Sequence, residues 1–252
     1  VVPRRRNGRR TGTIVGDYEL GPLLGAGATG DVYRARRGNQ TVAIKVLHPW
    51  LLSDSSAVER FLREARAASS LVTPHVVKIL AHGFTGDDNS PYLVMEELAG
   101  EDLAALLRTQ ERLSLAEVAG LVDQVAAALE LAREAGIVHR DLKPANIFCT
   151  SENGRAVWKV LDFGASKLVA SVHTITHGDV VGTPQFMSPE QAASEEVDHR
   201  ADVFALGAII YRALTGRHAF EGRNAVVTML MVRGASVVFS RNPRGMFISC
   251  IS

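Results

Sequence analysis

From Asp17 to about Leu98 the apolar residues come in short runs, "YELGPLLGAG", "DVYRARR", "TVAIKVL", "VVKILAHGF" and "PYLVMEEL", separated by Gly, Asn or Asp. Runs of this length bounded by turn residues predict a sheet-rich region. One segment breaks the rhythm. In "SSAVERFLREARAASSL" Val58, Phe61, Leu62, Ala65 and Ala68 recur at helical spacing, so a helix should lay an apolar stripe on the sheet, with Glu64 at the stripe's edge. Beyond residue 100 the period becomes helical. "SLAEVAGLVDQVAAALELAREAG" opens with Ser114 and Glu117 in capping-box spacing, runs apolar through Leu121, Val122, Val125 and Leu129, and stops at Gly136. A second buried helix is expected from about Asp202 to Leu214, closed by Gly216. The expected architecture is α+β and bilobal: a small antiparallel-sheet lobe with one helix over 17–98, a connector near 96–102, and a larger helical lobe over 99–231.

Composition narrows the class without naming a function. The chain has 252 residues, 46% hydrophobic and 22% charged, enough for one large domain or two lobes with real cores. Its formal charge of +1 conceals an uneven distribution. "PRRRNGRR" places its arginines ahead of any acid, which leaves the rest of the chain at about −4 and argues against a nucleic-acid face. Residues 1–16 are expected to form a basic, disordered arm. Cys149 and Cys250 stand in unrelated contexts, with no second thiol at metal-binding spacing, so a reducing, cytoplasmic setting is expected. The richest apolar run, "VFALGAIIYRAL", is too short to span a bilayer and carries Arg212. Neither a membrane anchor nor a signal peptide is expected.

Three stretches carry chemistry. "GAGATGDV" sets Gly25, Gly27 and Gly30 where a bare backbone can approach phosphate oxygens, a pattern that by itself fits a flexible turn equally well. The strand-like residues after it place the glycines in a hairpin, not ahead of a dinucleotide-fold helix. Lys45 is the lone charge in the strand "TVAIKVL", so it needs an anion to offset its desolvation, and Glu64 is the natural candidate. In "VLDFG", Asp162 follows an apolar run, as suits a carboxylate that holds Mg²⁺ among waters and phosphates. In "GIVHRDLKPANIF", Asp141 is the candidate base for an attacking hydroxyl, Lys143 can neutralise a moving phosphoryl group, and Asn146 can add a neutral oxygen ligand.

Taken in order, "GAGATGDV", "VAIK", "HRDLKPAN", "DFG" and "SPE" resemble the protein kinase superfamily, and "GTPQFMSPEQ" with "DHRADVFALG" looks like its bacterial, eukaryotic-like serine/threonine members. The likeness runs from about Tyr18 to Met231. It implies that Gly25, Gly27 and Gly30 cover the phosphates of ATP, that Lys45 holds the α- and β-phosphates while pairing with Glu64, and that Asp162 and Asn146 hold Mg²⁺. Asp141 takes the catalytic-base role. The connector resembles the family's hinge, with Met95 as gatekeeper, Glu96 and Leu98 offering backbone groups to adenine, and Asp102 near the ribose; Val32, Ala43 and Phe148 then sandwich the ring. Lys143 follows the serine/threonine pattern, and Thr183 would bridge it to Asp141. Arg140 beside the catalytic acid resembles members switched by a loop phosphate, with Thr174 and Thr176 the candidate sites and Ser171 a weaker one. The implied partners are ATP, proteins bearing Ser or Thr, and a second copy for autophosphorylation.

The likeness fails at the end of the chain. After Met231, "VRGASVVFSRNPRGMFISCIS" has neither helical periodicity nor the late arginine that the family pairs with Glu190. A missing set of terminal helices and marginal stability are therefore expected, and truncation, a frameshifted end or a divergent tail over 232–252 would each produce this pattern. A nucleotide-binding pseudoenzyme or inactive fragment is the alternative reading.

Overall fold

The computed structural model describes residues 8–27, 29–53, 55–163, 183–234, 236–242 and 245–251, with 53, 55–57, 60, 64, 236–242 and 245–251 described by backbone alone. Ser171, Thr174 and Thr176 lie outside the described residues.

The small lobe is a six-stranded antiparallel sheet. Its strands are β1 (Ile14–Val15), β2 (Tyr18–Ala26), β3 (Gly30–Arg37), β4 (Gln40–Leu47), β5 (Ile79–Phe84) and β6 (Pro91–Glu96), in the spatial order β1-β2-β3-β4-β6-β5. Helix α1 (Ser55–Ser69) is the one the periodicity predicts. β4 lies inside the sheet and is buried from Val42 to Leu47. Strand alternation sorts its residues: Val42, Ile44 and Val46 join Tyr33, Leu20 and Val94, while Ala43 and Leu47 join Phe61, Ala65, Leu93 and Met95. Lys45 shares the parity of Ala43 and Leu47, so it belongs to the face that α1 covers.

In the large lobe α2 (Leu103–Gln110) and α3 (Leu115–Glu134) precede the catalytic stretch. After it come α4 (Pro189–Ala192), α5 (Arg200–Thr215) and α6 (Ala225–Arg233). The capping box is present at Ser114 and Glu117, and α5 ends on Gly216 at φ +75°. Leu121, Val125 and Ala128 of α3 pack with Ala205, Ile209 and Ala213 of α5 in the main core. This lobe is not purely helical. Its β-branched runs "NIFCT" and "AVWKV" fall in β8 (Ile147–Glu152) and β9 (Arg155–Val160), which form a three-stranded sheet with β7 (Gly100–Asp102). β9 also joins the lobes, since the Val77 N–H donates to the Val160 carbonyl at 3.0 Å and the Val160 N–H to the His75 carbonyl at 2.9 Å.

One departure from the sequence reading concerns the N-terminal end. Residues 8–16, expected within a disordered arm, are ordered. The Arg10 guanidinium pairs with Asp87 at 2.9 Å and with Asp88, and β1 pairs with β2. The acidic turn that holds Arg10 is some 77 residues away, so no local pattern reveals it. At the other end β10 (Ser236–Asn242) and β11 (Gly245–Ile251) form an antiparallel hairpin. Among the described residues no helix is long and apolar enough to cross a membrane.

Candidate active site

The site is built around a buried carboxylate. Asp202 lies in the first turn of α5, on the same stripe as Ala205, Leu206 and Ile209, and is 4% exposed. It accepts the His139 N–H on Oδ2 at 2.7 Å and the Arg140 N–H on Oδ1 at 2.8 Å, which offsets its desolvation. These bonds help to hold Arg140 at φ +65°, a conformation that costs a residue other than glycine about 1–3 kcal/mol. His139 is fully buried, its ring edge-on to Phe163 with centroids 4.9 Å apart. The Asp141 N–H donates to His139 Nδ1 at 3.3 Å. Nδ1 must therefore be unprotonated, and the proton sits on Nε2, which donates to the Leu161 carbonyl at 2.8 Å.

This frame presents Asp141. Its Oδ2 receives Lys143 Nζ at 2.7 Å and the Asn146 amide at 3.3 Å; the same amide donates to the Asp141 carbonyl at 2.7 Å. Among the described residues Oδ1 of Asp141 accepts no hydrogen bond. Asn146, with its nitrogen engaged, keeps its own Oδ1 as an acceptor for a cation. Thr183 precedes the turn Pro184–Phe186, and among the described residues its hydroxyl makes no hydrogen bond to Asp141 or Lys143.

Across the cleft Lys45, 5% exposed, pairs with Asp162 at 2.9 Å. Burial alone would raise the Asp162 carboxyl. The charge and hydrogen bond of Lys45, with the charge of Lys143, outweigh that and hold it below the ordinary carboxylate value. Asp162 itself adopts φ +55°. Glu64 falls in α1, but its side chain is outside the description, so the expected Lys45 pairing with it is untested; the anion that Lys45 needs is supplied by Asp162. A cavity behind Met95 is lined by Lys45, Phe61, Ala65, Leu93, Asp162 and Phe163.

The glycine hairpin joins β2 and β3. A Cβ on Gly30 would lie 2.3 Å from the Val46 carbonyl oxygen, so only glycine fits, whereas one on Gly25 would meet nothing within 4 Å. The Gly27 N–H donates to the Gly30 carbonyl at 3.0 Å, and His48 Nε2 lies 3.1 Å from the Gly27 carbonyl. Below the hairpin, Val32, Ala43, Met95 and Leu98 belong to one small-lobe cluster. Phe148 on β8 is half-buried and registers with Asp102 on β7, whose Oδ1 caps α2 by accepting the Ala105 N–H at 2.8 Å. Glu96 does more than the connector reading expects. Its Oε1 accepts the Lys78 N–H at 2.9 Å and pairs at 3.2 Å with the buried Lys159 of β9.

Sequence reasoning brought together Asp141, Lys143 and Asn146, but it paired Lys45 with Glu64 and Asp162 with Asn146; the Lys45–Asp162 pair comes from the structure. It missed His139, Lys159, Gln191 and Asp202. One signal was available for Asp202: an acid at i on a stripe continued by apolar residues at i+3, i+4 and i+7 is a buried carboxylate in need of donors.

Comparison with known proteins follows this geometry. The protein kinase domain model matches residues 18–241. The serine/threonine-protein kinase Pkn3 of Myxococcus xanthus is 42% identical over 221 residues, which cover 85% of this chain and 40% of that protein. For PknA of Mycobacterium tuberculosis the identity is 36% over 223 residues, covering 86% of this chain and 51% of the relative. The chain thus spans about half or less of the length of these curated relatives. Among solved structures, the PknI kinase domain of Mycobacterium tuberculosis superposes with a TM-score of 0.67 at 28% identity, over 84% of this chain and 80% of that one.

Proposed function

This chain belongs to the protein kinase domain family, and on that premise we propose that it transfers the γ-phosphoryl group of ATP to serine and threonine hydroxyls of proteins. The observation that carries the reading is the state of Asp141: one carboxylate oxygen is tied to Lys143 and Asn146, and the other, which accepts no hydrogen bond among the described residues, is where an incoming hydroxyl would dock. Asp141 orients that hydroxyl and takes its proton, while Lys143 balances charge that develops on the transferring group. Lys45 grips the α- and β-phosphates, so its present pairing with Asp162 yields when nucleotide binds. Gly25, with open space where a side chain would stand, lets the hairpin backbone close on the phosphates, and Gly27 and Gly30 complete that cover. Adenine lies between Val32, Ala43 and Phe148, beside Met95 and against the backbone of Glu96 and Leu98, with Asp102 toward the ribose.

Asp162 and Asn146 fit Mg²⁺, since an ionised carboxylate and a neutral amide oxygen are hard donors that leave room for water and phosphate. The bound ion supplies charge neutralisation and orientation of the phosphates. Lys143 two positions after Asp141, and the names of the relatives, support serine and threonine as acceptors. Arg140 Nε is buried and has no hydrogen-bond partner among the described residues. That supports a phosphate-bearing partner at Thr174 or Thr176, with Ser171 third, placed there by self-association of two copies. The separated cysteines favour action in the cytoplasm.

Intact-mass measurement after incubation with Mg²⁺ and ATP tests the reading, with Asp141→Asn as control. Phosphoryl additions in the wild type that the control lacks are expected, and fragmentation assigns them. A folded protein that binds ATP and gains no mass would establish the pseudoenzyme alternative.

A further inference from the structure

α4 opens with a capping box in which Gln191 occupies the third position. Its Oε1 accepts the Ser188 N–H at 3.1 Å, and its own N–H donates to Ser188 Oγ at 3.4 Å. That motif accepts glutamate or glutamine equally, because it uses only the side-chain oxygen. Glutamine adds a donor, and here the donor is used. Gln191 Nε2 donates to the carbonyl of Arg140, 51 residues earlier, at 2.6 Å.

The carbonyl it reaches belongs to the peptide unit between Arg140 and Asp141. The other end of that unit, the Asp141 N–H, donates to His139 Nδ1. Gln191 and His139 therefore fix both ends of one peptide plane, and the plane sets the direction in which the Asp141 side chain leaves the backbone. Arg140 sits in the left-handed region at φ +65°, and the Gln191 contact fixes the ψ side of that residue. Asp202 restrains only the preceding N–H.

We propose that Gln191 is a positioning residue for phosphoryl transfer, holding the Arg140–Asp141 peptide so that the aim of Asp141 depends on how the segment from Thr183 through α4 is seated. This deepens the reading above and rests on it for its kinetic consequence. The hydrogen bond itself does not.

The decisive variant is Gln191→Glu in the full chain, since it keeps the cap to Ser188 and loses the donor to Arg140; Gln191→Met, which loses both, is the second. With casein as acceptor, Gln191→Glu should lower kcat by about tenfold or more, as expected for a misaimed catalytic group. KM for ATP should stay within about twofold, and the melting midpoint within about 2 °C. Amide hydrogen exchange over 139–142 should quicken while α3 is unchanged. A kcat within about twofold of wild type, or a loss matched by a falling midpoint in both variants, overturns the proposal. If the wild-type chain transfers no phosphate to casein or itself, the function reading fails, and exchange decides alone: unaltered rates over 139–142 refute the role of Gln191.

Discussion

The two sides of the cleft are held in different ways. On the large-lobe side, the backbone groups from His139 to Asp141 are fastened by Asp202, Gln191 and the His139 ring, and the side chains of Lys143 and Asn146 close on Asp141. On the small-lobe side, the glycine hairpin has the Gly27 N–H to Gly30 bond and the His48 contact, and the ladder beneath it slips register between Leu20 and Leu23 and again before Gly25. The difference follows the task. On the function proposed above, a group that takes a proton must be aimed before the substrate arrives, whereas a cover over phosphates must let nucleotide in and out. The Lys45–Asp162 pair lies between these regimes: it joins a buried lysine to a partly exposed carboxylate, and on the proposed function each group has another use when ATP binds.

Breaking the large-lobe side should have the largest effect. Asp202→Ala leaves two buried N–H donors unmatched, which should cost about 2–5 kcal/mol in urea unfolding. Any folded fraction should lose kcat on the order of a hundredfold, because Arg140 is freed to relax. An active, equally stable variant would show that the loop holds itself.

The pair across the cleft is next. Asp162→Asn should lower stability by about 1–3 kcal/mol near neutral pH, because Lys45 then keeps its burial without its charge partner. Asp162 has a folded-state pKa below its unfolded value, so its contribution is complete above the ordinary carboxylate value of about 3.9 and is lost as pH falls through the folded one. The gap in melting midpoint between wild type and Asp162→Asn should therefore be full at pH 6 and narrow below about pH 4. A gap that widens in acid would mean that the carboxylate is not the partner holding Lys45.

The smallest effect belongs to the small-lobe side. His48→Ala removes one contact to the Gly27 carbonyl, for which about 0.5–1.5 kcal/mol is typical, so KM for ATP should rise about three- to tenfold with kcat little changed. A kcat loss as large as that of Gln191→Glu would erase the contrast between the two sides.

Much of this was legible in the residues alone. α1, α3 and α5 appear where the periodicity puts them, with the Ser114–Glu117 box and Gly216 at their ends. Asp141, Lys143 and Asn146 were drawn together by spacing, since six positions around a proline turn cannot place them far apart. The sheet of β7, β8 and β9 was underread, because its strands are short and lie between strongly helical segments. Arg10 was assigned to a solvated arm, since its charge partners sit in a turn that the local pattern does not connect with it.

What the sequence by itself determined is the inventory: which groups can bind phosphate, hold a cation and take a proton, and which segments carry them. Hydrophobic period and short-range spacing are properties of neighbours along the chain, and they survive without a fold. Only the tertiary structure decided who holds those groups in place. Asp202 reaches His139 across 63 positions, Gln191 reaches Arg140 across 51, and Lys159 reaches Glu96 across 63. Asp202 and Lys159 are buried and Gln191 is half-buried, and the desolvation of each is offset by a specific distant partner. A linear pattern can show that such a group needs a partner, but folding alone supplies it.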